Sequence, residues 1–518
     1  MTIHTMHQVA RMTLMGLALL PRVGSFCQSP HAKITTVPKM WDDAAMSTLE
    51  VPLANPIGSP KQAPADYYYR IPVRPIYKQY PVYAPGREPA GYMEWLKKRD
   101  PVIVWDDTSH KPKLETEADW IKAGEIVFSA AQGTSVDQGF IVLADVRNVA
   151  WYERSGIPIT KDGVLPFVNY IIREKGKVEL GSFACAMCHT RVMPDGATLK
   201  GAQGNFPFER AAKYSSMSHM PATLLFALNR ELFAVPWLHP DPLDVEKDMT
   251  ADEMIEILQA IPPGVISRHR ASNLNPVQVP DLIGVKDRHY LDRTGLQQQR
   301  SIVDLMRYGA LNQGGDFLSS FDGFIPADFP EFKKLPDPTG PAMTVNGRYS
   351  DEQLYAMALY VYSLKPPPNP NKFDAAAARG EKLFKREGCS FCHTAPLYSN
   401  NKLTPAEGFA VPANHRAKYE ILPISVGTDP GLTLKTRRGT GYYKVPSLKG
   451  VWYRSMFGHS GWCATLEDWL DPNRLNEDYI PTGFKPYGKK TYAVTGHSFG
   501  LALSAQEKKD LIAFLKTL

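Results

Sequence analysis

At 518 residues, 43% of them apolar, the chain is longer than one typical core and rich enough in hydrophobic side chains to rule out a disordered or collagen-like polymer; two or three domains are expected. Its 59 basic and 53 acidic residues leave a net charge of +6, too mild and too evenly spread to mark a nucleic-acid binder. Of six cysteines, four belong to two Cys-x-x-Cys pairs, and the two left over are too few for a disulfide scaffold.

The first residues have the form of an export signal, 1–25: basic Arg11, an apolar stretch from Met12 to Leu20, and small Val23 and Ser25 ahead of a cut before Phe26. Pro21 and Arg22 depart from the ideal pattern. The stretch is too short to span a bilayer and no other segment qualifies, so a protein that does not span the membrane is expected, periplasmic or secreted. A lipid anchor on Cys27 is disfavoured by bulky Phe26. Residues 26–114, with Tyr67-Tyr68-Tyr69 and scattered prolines, read as an extended, irregular Pro/Tyr-rich segment whose aromatics clamp it onto the next domain. A carbohydrate or polymer surface is the alternative use of those rings.

Two segments of the remainder carry Cys-x-x-Cys-His: Cys185-Ala186-Met187-Cys188-His189 and Cys389-Ser390-Phe391-Cys392-His393. This is the attachment sequence of c-type haem, in which both thiols bond the porphyrin and the next imidazole binds iron. Four thiolates on one structural zinc are the competing reading, which leaves the two histidines without a purpose. Two covalent haems are therefore expected, the first held by Cys185, Cys188 and His189, the second by Cys389, Cys392 and His393. Cys27 and Cys463 are left over.

Four blocks recur in order around these sequences. Gly124-Glu125-Ile126-Val127-Phe128 matches Gly380-Glu381-Lys382-Leu383-Phe384; the haem sequences follow. Val279-Pro280-Asp281-Leu282-Ile283-Gly284-Val285 with Arg288 then matches Val445-Pro446-Ser447-Leu448-Lys449-Gly450-Val451 with Arg454, and helices open at Ser350 and Ser504 with capping-box sequences. The separations of 256, 204, 166 and 154 residues shrink steadily, as if the first copy carried three insertions. An internal duplication is thus expected. The expected fold is mostly α, with two cytochrome c-like haem domains, 115–364 and 372–518, joined by the Pro-rich linker 365–371. In each, a glycine lets the first and last helices cross closely, with Phe128 and Tyr360 in one copy and Phe384 and Phe514 in the other filling the contact.

The stretch Tyr443 to Leu470, with Lys444-Val445-Pro446-Ser447-Leu448 and Phe457-Gly458-His459-Ser460-Gly461, resembles the bacterial di-haem cytochrome c peroxidase superfamily, as does the ending from Ser504. The likeness is strong over 372–518 and weaker over 115–366. It implies an electron-entry haem and a haem that reduces peroxide. In better-known peroxidases the entry haem has a methionine ligand, but here no methionine follows Met456. The imidazole of Gly496-His497-Ser498-Phe499-Gly500 is similar to that of the rubber oxygenase branch, whose C-terminal haem has two histidine ligands, and so implies His497 as sixth ligand of the second haem. Met456 and His459 compete for that role; His459 reads better as a hydrogen-bond donor near the haem.

At the first haem no histidine occurs between His189 and His219, and Arg293 stands where the second copy has His459. An open distal face is therefore expected there, with His189 the proximal ligand of the reactive haem, although His219, His239, His269 or His289 would close it. Pro221 to Phe233 and Gly314-Gly315-Asp316-Phe317 are candidates for the distal pocket, with Phe317 over the bound oxidant as in the rubber oxygenases. Arg288 and Arg454 suit bidentate binding of haem propionates, surface salt bridges being the alternative. The expected activity is a di-haem oxidoreductase that takes electrons from a small redox protein, a cytochrome or cupredoxin, and reduces hydrogen peroxide. The alternatives are a dioxygenase using O₂ and a non-enzymatic electron carrier.

Overall fold

The structure, a computed structural model, describes residues 36–134, 141–267, 271–313, 318–322, 324 and 347–518. The expected export signal, Cys27, His269 and Phe317 lie outside them. Among the described residues no helix is long and apolar enough to cross a membrane.

Four helices frame the two haem sequences. Helix α1 (Glu117–Ser129) begins where Thr116 caps the Asp119 N–H and Asp119 accepts from the Thr116 N–H in return. Its buried residues Trp120, Ala123, Gly124, Val127 and Phe128 recur at helical spacing and face α2 (Asp351–Ser363), which opens with the Ser350/Gln353 capping box. At the crossing a Cβ on Gly124 would overlap the Ala356 carbonyl and come 2.7 Å from Tyr360 Cβ, so only glycine allows the approach. The Phe128 and Tyr360 rings meet 5.2 Å apart beside it.

Helices α3 (Ala375–Arg386) and α4 (Ala505–Lys516) make the same arrangement further along the chain. A Cβ on Gly380 would overlap the Asp510 carbonyl and come 2.8 Å from Phe514 Cβ, and Phe384 meets Phe514 at 5.4 Å. Ser504 and Glu507 complete the capping box of α4, and Arg379 forks onto Asp510 at 2.7 and 2.8 Å. Residues 365–371 carry no helix or strand, and Asn369 ties them to the Lys516 carbonyl.

Three strands between α1 and Cys185, with one from before α1, build a four-stranded antiparallel sheet that a mostly helical reading does not anticipate. In it β1 (Gln79–Tyr83) pairs with β3 (Val164–Glu174), β3 with β4 (Lys177–Ser182), and β4 with β2 (Gln132–Thr134). The registers set Tyr83 opposite Val164, Asn169 opposite Gly181, and Gln132 opposite Ser182. Pro81 sits in the outermost strand, where its missing N–H interrupts no further ladder. Phe167, Val168, Tyr170 and Ile172 of β3 pack with Met187 of the first haem sequence, so the sheet backs that attachment site.

The segment after residue 36 is less irregular than its composition suggests. Tyr67, Tyr68 and Tyr69 lie on a short helix, Ala65–Arg70. Tyr68 stacks on Trp41 at 4.2 Å, Arg348 lies over Tyr68 and Tyr69, and the Tyr69 hydroxyl reaches Asp351 at 3.1 Å. These contacts fasten the segment to the start of α2, and Met40, Trp41, Tyr68 and Trp105 share one core with α1 and α2.

Candidate functional site

Both Cys-x-x-Cys-His sequences coil into a single turn. The His189 N–H donates to the Cys185 carbonyl at 3.0 Å, and the His393 N–H to the Cys389 carbonyl at 2.9 Å. That turn sets two thiols and an imidazole on one side of the chain. Burial pushes the Cys185 and Cys389 thiols up to about 11 and the His189 and His393 imidazoles down to about 4, so both rings are neutral and free to bind a metal. Among the described residues no three His, Cys, Asp or Glu side chains gather as a metal site, so the four thiols do not converge on one zinc.

The second sequence opens onto a cavity of about 200 Å³. Cys389, Cys392 and His393 form one wall; His497 and Trp469 stand on it too, with Phe384, Leu511 and Leu515 from the crossed helices. His393 Nδ1 lies 3.1 Å from the Tyr398 carbonyl, a bond that makes Nδ1 the protonated nitrogen and leaves Nε2 a lone pair. The His393 and His497 ring centroids are 6.3 Å apart. Two imidazole–metal bonds of about 2 Å plus the half-widths of two rings come to about 6 Å, so one metal ion fits between them. With two thiols beside one imidazole and a largely apolar wall, the residues present fit a c-type haem.

His497 is held by its loop. Its backbone is left-handed (φ +45), its N–H donates to the Val426 carbonyl at 2.6 Å, and a Cβ on Gly496 would overlap the Gly427 backbone. Fully buried Arg474 gathers the carbonyls of Trp469, Val494, Gly496 and His497 and lies over the Trp469 ring. Burial, then the charges of His393 and Arg474, push His497 down to about 3. Arg474 was missed in the sequence because nothing in its spacing separates a buried arginine from a surface one.

The other expected residues fall as follows. His459 lines the same cavity, stacked on Tyr443 at 3.9 Å and edge-on to Trp462 at 4.4 Å, with Nε2 buried and unpartnered. Met456 is not on the cavity wall and packs with Trp462 and Phe484. Arg288 and Arg454 are not surface salt bridges: Arg288 donates to the Asp281 and Ile283 carbonyls, and Arg454 to the Ser447 and Lys449 carbonyls, the same two positions upstream in each loop. At the first sequence the Pro280 carbonyl lies against His189, as the Pro446 carbonyl lies against His393. His219, His239 and His289 are exposed, and His289 bridges to Glu420 at 2.6 Å.

No family model matches the chain. It is 28% identical over 166 residues to the cytochrome-c peroxidase IdrP1 of Pseudomonas sp. (strain SCT), which covers 29% of this chain and 41% of that protein. The IdrP1 of Denitromonas iodatirespirans gives 28% over 162 residues, 28% of this chain and 40% of that one. The match thus spans less than half of either relative. Among solved structures, a MauG-like protein associated with microbial copper homeostasis is 21% identical with a TM-score of 0.21, covering 32% of this chain and 56% of that one. Hydrazine synthase of Kuenenia stuttgartiensis gives 19% and 0.21, covering 34% and 58%; scores this low carry no statement about overall shape. Together with the two attachment turns, the similarity to the peroxidases supports an oxidoreductase that uses c-type haem.

Proposed function

We propose that the chain is a di-haem c-type cytochrome that reduces hydrogen peroxide with electrons from a small redox protein, a cytochrome or cupredoxin, outside the bacterial cytosol. The single observation that carries this reading is the inequality of the two sites: His393 faces a second imidazole, His497, across its cavity, whereas the surface histidines His219, His239 and His289 leave His189 without such a partner among the described residues. Haem bound at both sites would supply one-electron storage and, where iron keeps a vacant position, a place for peroxide to accept two electrons and two protons and leave as two waters.

The chain's own contribution is to make the sites different. Cys389, Cys392, His393 and His497 line the second, and the Arg474 hub holds the backbone of the loop that carries His497. Cys185, Cys188 and His189 hold the first. Arg288 and Arg454 would hold haem propionates. The duplication, with domains 115–364 and 372–518 about the linker 365–371, is supported by the two equivalent glycine crossings, the two attachment turns and the two arginines that reach back to equivalent carbonyls.

Mixing the protein with reduced cytochrome c and peroxide and following cytochrome oxidation tests this; a rate no faster than without protein contradicts it. An O₂-using dioxygenase of the rubber oxygenase type is the second reading, favoured by the paired imidazoles alone. Oxygen uptake that depends on polyisoprene, with no peroxide turnover, would select it.

A further inference from the structure

From the cavity of His393 a chain of hydrogen-bonded rings runs outward to a second tyrosine. Tyr443 and His459 both stand on the cavity wall, stacked at 3.9 Å. The Tyr443 hydroxyl donates to the Asp429 carbonyl at 2.7 Å, and the His459 ring bonds to the same carbonyl through Nδ1, since Nε2 is the nitrogen without a partner. The carboxylate of Asp429 is engaged separately: Oδ1 accepts from the Gly431 N–H at 2.6 Å and Oδ2 from the Tyr492 hydroxyl. Tyr492 is off the cavity wall and only partly buried, packed on Trp462 beside Tyr479, whose carbonyl accepts the Tyr492 N–H at 2.8 Å. Asp429 thus joins a buried phenol at the cavity to a second phenol nearer the surface.

The two phenols differ in what can receive their protons. A phenol that gives up an electron becomes a strong acid, and it rests as a neutral radical only where a base takes the proton. The backbone carbonyl that faces Tyr443 is no such base, whereas the carboxylate that faces Tyr492 is. Burial and then the Asp429 charge hold the Tyr492 hydroxyl above its ordinary range, so the phenol keeps its proton until an electron leaves. Tyr443 can pass an electron but has nowhere to leave a proton.

We propose that Tyr492 is a one-electron donor site: once peroxide has drawn electrons from the haem held by Cys389, Cys392 and His393, Tyr492 supplies one electron across Tyr443 and His459, its O–H bond breaks, and the proton moves to Asp429. A neutral phenoxyl radical and a protonated Asp429 remain. A small phenol such as hydroquinone returns the electron at the surface, its own proton going to solvent, and Asp429 hands its proton back to Tyr492. The protein then has a second class of reductant, phenols, besides a redox protein. The inference rests on the peroxide reading above.

The experiment freezes the holoprotein milliseconds after peroxide is added without any reductant, and reads the radical by electron paramagnetic resonance while absorption follows the haems. Wild type is expected to give a phenoxyl signal that added hydroquinone erases. Tyr492→Phe should lower it about tenfold or more, and so should Asp429→Asn, whose amide turns an N–H toward the phenol, a loss on the scale of one hydrogen bond to a charged acceptor. Haem oxidation without a phenoxyl signal refutes the proposal, as does a signal that either variant leaves undiminished. An absorption spectrum that peroxide does not move refutes the peroxide reading instead, and the proposal falls with it. Should Tyr492→Phe fail to carry two haems by mass spectrometry, Asp429→Asn decides.

Discussion

Replacing Gly380 with alanine tests whether the close crossing of α3 and α4 shapes the second haem site. The new Cβ would overlap the Asp510 carbonyl and lie 2.8 Å from Phe514 Cβ, and neither neighbour is the free end of a flexible side chain. The helices must part, at about 1–3 kcal/mol for overpacking. Parting also loosens the Phe384–Phe514 and Phe373–Phe514 ring pairs at 5.4 and 6.4 Å, about 0.5–1.5 kcal/mol each when intact. Alanine returns about 1 kcal/mol of helix propensity. The net is a loss of about 2 kcal/mol, or a Tm lower by about 4–8 °C for a unit of this size. Calorimetry of the holoprotein reads it, with exposed Lys382→Ala as a control expected within about 0.5 kcal/mol of wild type. A Gly380→Ala variant as stable as wild type, or more so, would refute the reasoning.

Three further outcomes are expected. His497→Ala should free one position at the second iron and let that haem bind imidazole or cyanide; an unchanged low-spin spectrum would remove His497 from the ligand set. His189→Ala should abolish turnover while the spectrum of the second haem persists, and retained turnover would move the reaction elsewhere. Burial raises Glu246 to about 7, against the Asn229 amide that donates to it at 2.7 Å. Its folded pKa exceeds the unfolded value, so its contribution is intact below about pH 4.5, falls as pH rises through 7 and is lost above, by up to about 3 kcal/mol. Glu246→Gln should therefore gain on wild type in urea as pH rises from 4 to 8; parallel pH profiles for the two proteins would count against this.

The parts of the fold that were legible in the sequence are those in which one residue type is physically forced. Gly124 and Gly380 had to be glycine because a backbone carbonyl sits where a Cβ would go, and Ser350 and Ser504 announced helix starts through reciprocal caps. The attachment turns were legible for the same reason. The sheet was not, because β3 is buried on both faces over much of its length and lacks the strict alternation of a half-exposed strand. Tyr67 to Tyr69 looked extended among prolines, yet Pro64 stands before the first turn of a short helix, where a missing N–H costs nothing. In the candidate site, the facing of His393 and His497 was reached through family resemblance, since a contact spanning a hundred residues leaves no local pattern. Arg474 escaped notice because burial of a cation depends on carbonyls contributed by distant loops.

The most direct measurement is carbon monoxide binding to the fully reduced protein, followed by absorption and by stoichiometry. Unequal coordination requires one carbon monoxide per chain, one Soret band displaced and the other, from the haem between His393 and His497, unmoved. Two bound molecules, or none, would contradict it.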